Sequence, residues 1–342
     1  MTAMITFAIA TVTPMLLVMV AAVLGGGWAW AALFYMTAMV AGMDRLIARD
    51  VGNAAPEAEF PAARPLLWLL GLGHFAVLAV ALCGLVSVPG GVAGKLALGI
   101  ATGLIFGQIS HPVAHELIHQ PGRGARLLGR LIYSSLLIGH HASAHLRVHH
   151  IHVGSDADPN TPRLGRGFYR YALSAALGSY RAGLAAESGM LRRAGRPLWR
   201  HPYLLYGAVA VLMLVAVWQG LGRAGVLIYV ALCLHAQMQI YLSDYVQHYG
   251  LRRQHDGRGR LEPVGPAHSW NSPHWFSSAL MINAPRHSDH HVTPSRPYPA
   301  LRLGDEMPML PYPVPVMGVL ALWPPLWRRV MDGRARDWQE RS

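Results

Sequence analysis

The chain is dominated by apolar runs long enough to cross a bilayer. They lie near residues 5–24, 28–43, 66–88, 92–110, 203–220 and 225–243. A helix needs about 20 residues to cross about 30 Å of hydrocarbon. Backbone amides find no water inside a bilayer, so runs of this kind resolve as helices. The expected fold is an all-α integral membrane protein with six transmembrane helices, a single integral membrane domain over 1–342. The first run has no Lys or Arg before it and passes at once into the second through "GGG" at 25–27, which reads as a retained span rather than a cleaved signal. "PGG" at 89–91 supplies a second short connection. The fourth run continues without a break into "HPVAHELIH", so its helix should carry histidines past the membrane surface. Segment 131–152 starts apolar but is too short to span, and reads as a helix lying against the bundle. Beyond residue 244, Pro- and Gly-rich stretches predict loops around short helices.

Net charge is +12 with a pI near 10.2, a balance that in a soluble chain suggests nucleic acid. Its distribution argues for no nucleic-acid partner. Of 29 Lys and Arg, all but Lys95 and Arg223 lie between the second and third runs, in 111–200 or in 248–342. Six spans place these three segments on one side. The positive-inside rule makes that side the cytoplasm, with both termini there. Cys83 and Cys233 both sit in apolar runs, which leaves no disulfide framework and no cysteine metal knuckle.

The ligand chemistry available is imidazole. "HELIH" places His115 and His119 four apart, on one face of a helix. "HLRVHH" repeats that spacing with His145 and His149 and adds His150, while "RHSDHH" contributes His287, His290 and His291. His248 follows the sixth run in "DYVQHYG". One zinc takes about four ligands, so nine imidazoles on one side of the membrane imply two metals. Zinc, copper, iron and nickel all accept imidazole, so the donors alone leave the metal open. His74, His201, His235, His255 and His274 stand apart and read as solvated or helix-capping. His111, His140, His141 and His152 border the clusters, as neighbours of ligands or surface residues. "HELIH" also matches the HExxH zinc-peptidase pattern. A peptidase leaves the other two clusters unexplained, whereas a non-catalytic membrane metal carrier or sensor would use the same histidines.

The motifs "HELIH", "AHLRVHH", "DADPNTPRLGRGFYRY", "DYVQHYGLRR", "HSWNS" and "RHSDHH" resemble those of membrane-bound alkane monooxygenases, within the wider membrane fatty-acid desaturase and hydroxylase superfamily. "QHYG" and "RHSDHH" point to the alkane and xylene branch. The resemblance implies six transmembrane helices and a nonheme di-iron site at the cytoplasmic face of a bacterial-type inner (plasma) membrane. Two iron ions would be held by His115, His119, His145, His149, His150, His248, His287, His290 and His291. It also implies hydroxylation of the terminal carbon of an alkane or similar apolar substrate that enters from the bilayer, using O2 and two electrons. A methyl-aromatic or fatty-acyl substrate is the alternative within the same superfamily. The chain has no dinucleotide fingerprint and no cysteine cluster, so it must borrow its electrons; the resemblance implies a rubredoxin or ferredoxin-like donor with an NAD(P)H-dependent reductase.

Glu116, Asp158, Asp244, His268 and Asp289 are the candidates to hydrogen-bond ligating imidazoles, a contact that tunes ligand basicity. For Asp289 the competing role is helix capping or an ion pair with Arg286. The sequence departs from the family's common pattern at Ala144, Gln247 and Gln120, where acidic or basic residues are usual. Trp28, Trp30, Phe34 and Tyr35 are the bulky candidates for limiting chain length, with Trp28 expected as an interfacial anchor.

Overall fold

The computed structural model describes residues 2–47, 52–87 and 91–341. Arg49, residue 88 of the third predicted span and positions 89–90 of the "PGG" connection lie outside the described residues.

Among the described residues the apolar runs are helical throughout. Helix α1 (Thr2–Leu24) ends at Gly25 and Gly26, whose φ values of 66° and 60° turn the chain into α2 (27–46). That left-handed region costs glycine nothing, because there is no Cβ to clash. Helix α2 contains a π-turn at Tyr35–Met39. Helix α3 is Ala63–Ser87, and α4 runs Val92–His119 through a second π-turn at Phe106–Ser110. As expected, α4 carries "HELIH" on its last turns. Then follow α5 (Arg123–Ser135), α6 (140–152), α7 (Phe168–Arg193) and α8 (Pro202–His248). The remainder holds α9 (Trp275–Leu280), α10 (His287–Val292), α11 (Val314–Ala321) and α12 (Pro324–Gln339). Two isolated bridges, His255–Leu261 and Asn271–Met309, are the β-type pairings among the described residues.

Four helices are long and apolar enough to cross a membrane: Met4–Leu24, Ala63–Ser87, Val92–His119 and Pro202–His248. The last has 47 residues, about 70 Å as a straight rod and more than twice the hydrocarbon thickness. It is broken at Gly222, where φ 62° and ψ −160° interrupt the helical path. Near its start, Tyr206 bonds Ser143 of α6 at 2.9 Å. At its end, His248 stands 4.7 Å, ring to ring, from His149 of the same helix. Both ends therefore touch one short helix, which a straight rod could not do, and the two arms fold back on each other at Gly222.

Glycines set the closest helix contacts. A Cβ at Gly84 of α3 would run into the backbone of Ala22 in α1. Gly103 and Gly107, one turn apart on α4, make room for His235 and Gln239 of α8. Small residues at such crossings let backbones approach, which is how apolar helices gain packing in lipid.

Three expectations change here. His74 is fully buried, with its ring nitrogens 2.9 Å from Ser110 Oγ and 2.9 Å from Ser135 Oγ. It lies inside an apolar run where hydroxyls replace water, and so ties α3 to α4 and α5. Trp28, Trp30 and Phe34 lie on the outside of the bundle, while Tyr35 is buried and donates to Ile9 O at 3.0 Å. The three exposed rings are positioned as membrane anchors rather than as limits on substrate length. The 26-residue α7 was not anticipated, because its apolar stripe is diluted by arginines.

Substituting Gly84→Leu should lower the detergent-solubilised melting temperature markedly, since the new side chain meets backbone rather than a flexible tip. Gly94→Leu, with nothing within 4 Å of its Cβ position, should leave that temperature within a degree or two; tryptophan fluorescence on heating compares the two.

Candidate metal centre

The nine histidines singled out by spacing come together at one end of the bundle. They form two adjoining groups, His115, His119, His145, His150 and His290 in one, and His149, His248, His287 and His291 in the other. Within each group the ligating atoms lie within 4.8 Å of one another. The groups share a wall, where the His150 and His291 rings are 4.5 Å apart.

The division does not follow the sequence clusters. "HELIH" goes wholly to the five-membered group, as its α-helical spacing predicts. "HLRVHH" is split, because residues 145–149 form a third π-turn. In an α-helix His150 would lie about 140° round from His145, nearly opposite. The i→i+5 pattern of a π-turn brings residues five apart into register. His145 and His150 thus meet at 2.9 Å, and His149, expected beside His145, faces the other group. Helix α10 divides similarly: His287 and His291, one turn apart, face His248, while His290 turns to the five-membered group.

Protons cannot satisfy this arrangement. Each Nε2 presents one in-plane position, a hydrogen or a lone pair. Yet His145 Nε2 lies 3.1 Å from His119 Nε2 and 2.9 Å from His150 Nε2, which is itself 3.2 Å from His290 Nε2. His287 Nε2 is similarly shared between His248 at 3.0 Å and His291 at 3.2 Å. His115 Nε2 and His149 Nε2 are buried with no hydrogen-bond partner among the described residues. A cation at the centre of each group resolves the conflict. With metal–nitrogen bonds of about 2.1 Å, adjacent ligands at right angles stand about 3.0 Å apart, which matches these spacings. The residues present therefore fit two metal ions.

Burial keeps the donors neutral. His145, His150, His287, His290 and His291 are held well below the ordinary histidine range by loss of solvation, then by the charge of neighbouring imidazoles. His149 is the exception. Burial lowers it, but Asp158 beside it outweighs burial and raises it. The His149 Nδ1–H donates to Asp158 Oδ2 at 2.8 Å, which leaves Nε2 as the free donor atom. Thr161 Oγ1 at 2.7 Å and the Asn160 backbone amide at 3.0 Å hold the carboxylate in turn.

The other predicted neighbours act differently from expectation. Asp244 does not reach His248; it accepts from Asn160 Nδ2 at 2.6 Å, one bond removed from Asp158. Asp289 bonds neither an imidazole nor Arg286. Both its oxygens lie 2.8 Å from Arg296, and Oδ2 also accepts from the Arg302 amide at 2.9 Å. It braces α10 from outside, because three flanking histidines already occupy the inner face. Arg286 instead binds Asn53 Oδ1 and the Leu301 carbonyl. His268 contributes its carbonyl, 3.4 Å from His248 Nδ1, while its ring bonds Glu262 at 3.0 Å. Glu116 is buried and accepts from Gln120 at 3.2 Å.

Two positions escaped the sequence reading. Asn271 accepts from the Ser288 amide at 2.9 Å and donates to Ser288 Oγ at 2.7 Å. A six-residue helix such as α10 is marginal alone, so this clamp and Asp289 hold its histidines in place. The only signal was the "HSWNS" stretch itself. His141, read as a bordering residue, is fully buried against His145 with rings 5.6 Å apart, and neither of its nitrogens has a hydrogen-bond partner among the described residues. His201, by contrast, caps α8 as expected, accepting from the Tyr203 amide at 3.2 Å.

An all-helical membrane protein with twin histidine clusters suited to metal ions is the class that fold and site define. Comparison with known proteins narrows it. The chain belongs to the Fatty acid desaturase family, which it matches over residues 88–319. It is 30% identical to alkane 1-monooxygenase 2 of Pseudomonas aeruginosa, over 90% of this chain and 84% of that one. Alkane 1-monooxygenase 2 of Alcanivorax borkumensis is also 30% identical, over 92% of this chain and 84% of its own length. The xylene/toluene monooxygenase hydroxylase component of Pseudomonas putida is 30% identical over 58% of this chain and 53% of its own.

Asp158→Asn should weaken metal retention at the four-histidine group by about 10- to 100-fold, with Asp244→Asn, one bond further out, losing less. Chelator titration followed by elemental analysis measures both. Metal-free protein should lose stability as pH falls below about 6.5, the unfolded histidine value. Below it the unfolded chain takes up protons that the buried, neutral imidazoles refuse, so unfolding is favoured as acid rises. Melting temperature across pH 5 to 8, with and without metal, tests the sign.

Proposed function

We propose that this chain is a membrane-bound nonheme di-iron monooxygenase that hydroxylates the terminal carbon of an alkane or similar apolar molecule. The observation that carries the reading is the convergence of nine imidazoles into two adjoining groups, in a chain about 30% identical to alkane 1-monooxygenases over nine-tenths of its length. The balance is R–CH3 + O2 + 2 electrons + 2 protons giving R–CH2OH + H2O. Two iron ions, held by the five-histidine and four-histidine groups, supply O2 activation and C–H oxidation when bound. The chain's own residues hold the donors neutral, fix the His149 tautomer through Asp158, and keep the site dry by burial.

Six spans within one domain over 1–342 accompany this reading. The four long helices, the split of α8 at Gly222 and the apolar α2 support that count. The arginine distribution supports a cytoplasmic metal site and cytoplasmic termini in an inner membrane of bacterial type. Segments 111–200 and 244–342 are then the cytoplasmic portions that carry the histidine clusters.

Electrons come from an external donor of the rubredoxin or ferredoxin type, fed by an NAD(P)H-dependent reductase. A basic recess supports its place of contact. His119, one of two half-buried members of its group, lines the recess with Arg123, Arg126, Arg130 and Arg147. Positive charge around a half-buried ligand steers an acidic carrier to it. The peptidase alternative is disfavoured, since His115 and His119 join three further imidazoles and Glu116 is engaged by Gln120.

The test is turnover of an alkane series by iron-loaded protein with O2, rubredoxin and its reductase, with terminal alcohols as the readout. Two irons per chain and terminal alcohols are expected; no product from any alkane or methyl aromatic, with a working electron supply, would falsify the reading. In the same assay Arg123→Glu with Arg130→Glu should raise the KM for the electron donor several-fold and leave the KM for alkane unchanged.

A further inference from the structure

A groove of ≈ 640 Å³, part of it open to the surroundings, runs between α4, α8 and α11. On α8 its lining extends from His235 to Val246, about 16 Å along the helix axis. Val319 marks its exposed rim, and Val246 and Met281 its buried floor, two residues before the metal-site residue His248. The walls are apolar apart from a few groups, of which Gln108 and Gln239 face each other across the helix contact.

The orientation of these two amides is fixed by their partners. Gln239 Nε2 donates to the Gly103 carbonyl at 2.8 Å, an atom that can only accept. Gln239 therefore presents Oε1 to Gln108, which answers with Nε2 at 3.4 Å. That leaves Gln108 Oε1 as an acceptor. This oxygen sits closed off in the groove wall, the residue being 9% exposed, and has no donor among the described residues, so a ligand that reaches it must part the side chains that cover it. An unmet acceptor in an apolar groove discriminates sharply, because only a ligand that brings a hydrogen satisfies it.

We propose that this groove is a binding site for a saturated chain ending in a hydroxyl, a primary fatty alcohol, whose O–H donates to Gln108 Oε1 while its alkyl part fills the apolar walls. Alkanes, ethers and esters carry no donor. A carboxylate would meet the Gln108 oxygen with like partial charge. The alcohol has two sources, the surrounding bilayer and the reaction proposed above. The second source rests on that reading and the first does not.

The experiment uses the full chain in lipid nanodiscs and a photoreactive primary alcohol carrying a diazirine in its alkyl part. Mass spectrometry should place the label on groove residues such as Leu104, Met238 and Leu322. A plain 1-alkanol should compete about tenfold better than its methyl ether or the alkane of equal length, the factor expected when one buried acceptor is left unmet. Gln108→Leu should abolish that preference. Gly318→Phe gives a second variant: nothing lies within 4 Å of a Cβ there, so the ring can enter the groove without disturbing the fold, and labelling should fall. Labelling of metal-free protein identifies the bilayer as a source. Labelling only during turnover of a diazirine alkane identifies the reaction product. Equal competition by alcohol and ether, or an alcohol preference that survives Gln108→Leu, overturns the proposal whatever the outcome of the turnover assay.

Discussion

Nine imidazoles, seven buried and two half-buried, gathered at one end of a helical bundle are the constraint on which the rest of this structure depends. Buried rings lose solvation, and their Nε2 atoms converge at distances no assignment of protons can satisfy. Such a cluster persists only if the surrounding fold holds it and a cation compensates it. The elements around it can be understood as the means of holding it. Helix α12 buries Trp327 against Tyr245 and Tyr249, and Asp332 accepts from the Tyr249 hydroxyl at 2.6 Å. Trp270 bonds the carbonyls of Gln247 at 2.7 Å and Tyr249 at 2.9 Å. His248 is thereby fixed from both sides in the chain, at the point where α8 leaves its apolar surroundings.

The two groups are not equivalent. The four-membered group has a carboxylate bonded to one of its rings and a carbonyl facing another, whereas the five-membered group includes both half-buried histidines, His119 and His150. The first is braced and enclosed, and the second is nearer the surface and the basic recess. The departures from the family pattern fit into this frame. Gln247 accepts from Ser243 at 2.8 Å and donates to Ala284 O at 3.1 Å, a bridge that a glutamate could make only in part because it lacks the donor. It joins the groove-lining end of α8 to the loop that leads into α10. Ala144 is buried, with its backbone against Gly183 of α7.

Much of this was legible in the sequence. Apolar length and arginine distribution are coarse signals that survive any detail of packing, and they marked the helices. Histidine clustering marked eight members of the two groups and the end of the sixth run marked His248, but spacing alone did not say which group each would join. Asp158 was among the acidic candidates, and it alone of the four carboxylates reaches a ring of the two groups in the structure. Asp244 and Asp289 looked equivalent in the sequence, but the direction of a side chain depends on what packs beside it. Asn160 and Arg296 took those two carboxylates.

The sequence by itself determined which residues are apolar enough to be helices and which imidazoles are available, because length and periodicity are local properties of the chain. Only the tertiary structure decided how those imidazoles are shared. The π-turn at 145–149 sends neighbouring histidines to different groups, and the crossing of α4 with α8 leaves Gln108 with an unmet acceptor. Both outcomes come from contacts between segments far apart in the chain, where a rotation of one residue about a helix axis changes which partner a side chain meets.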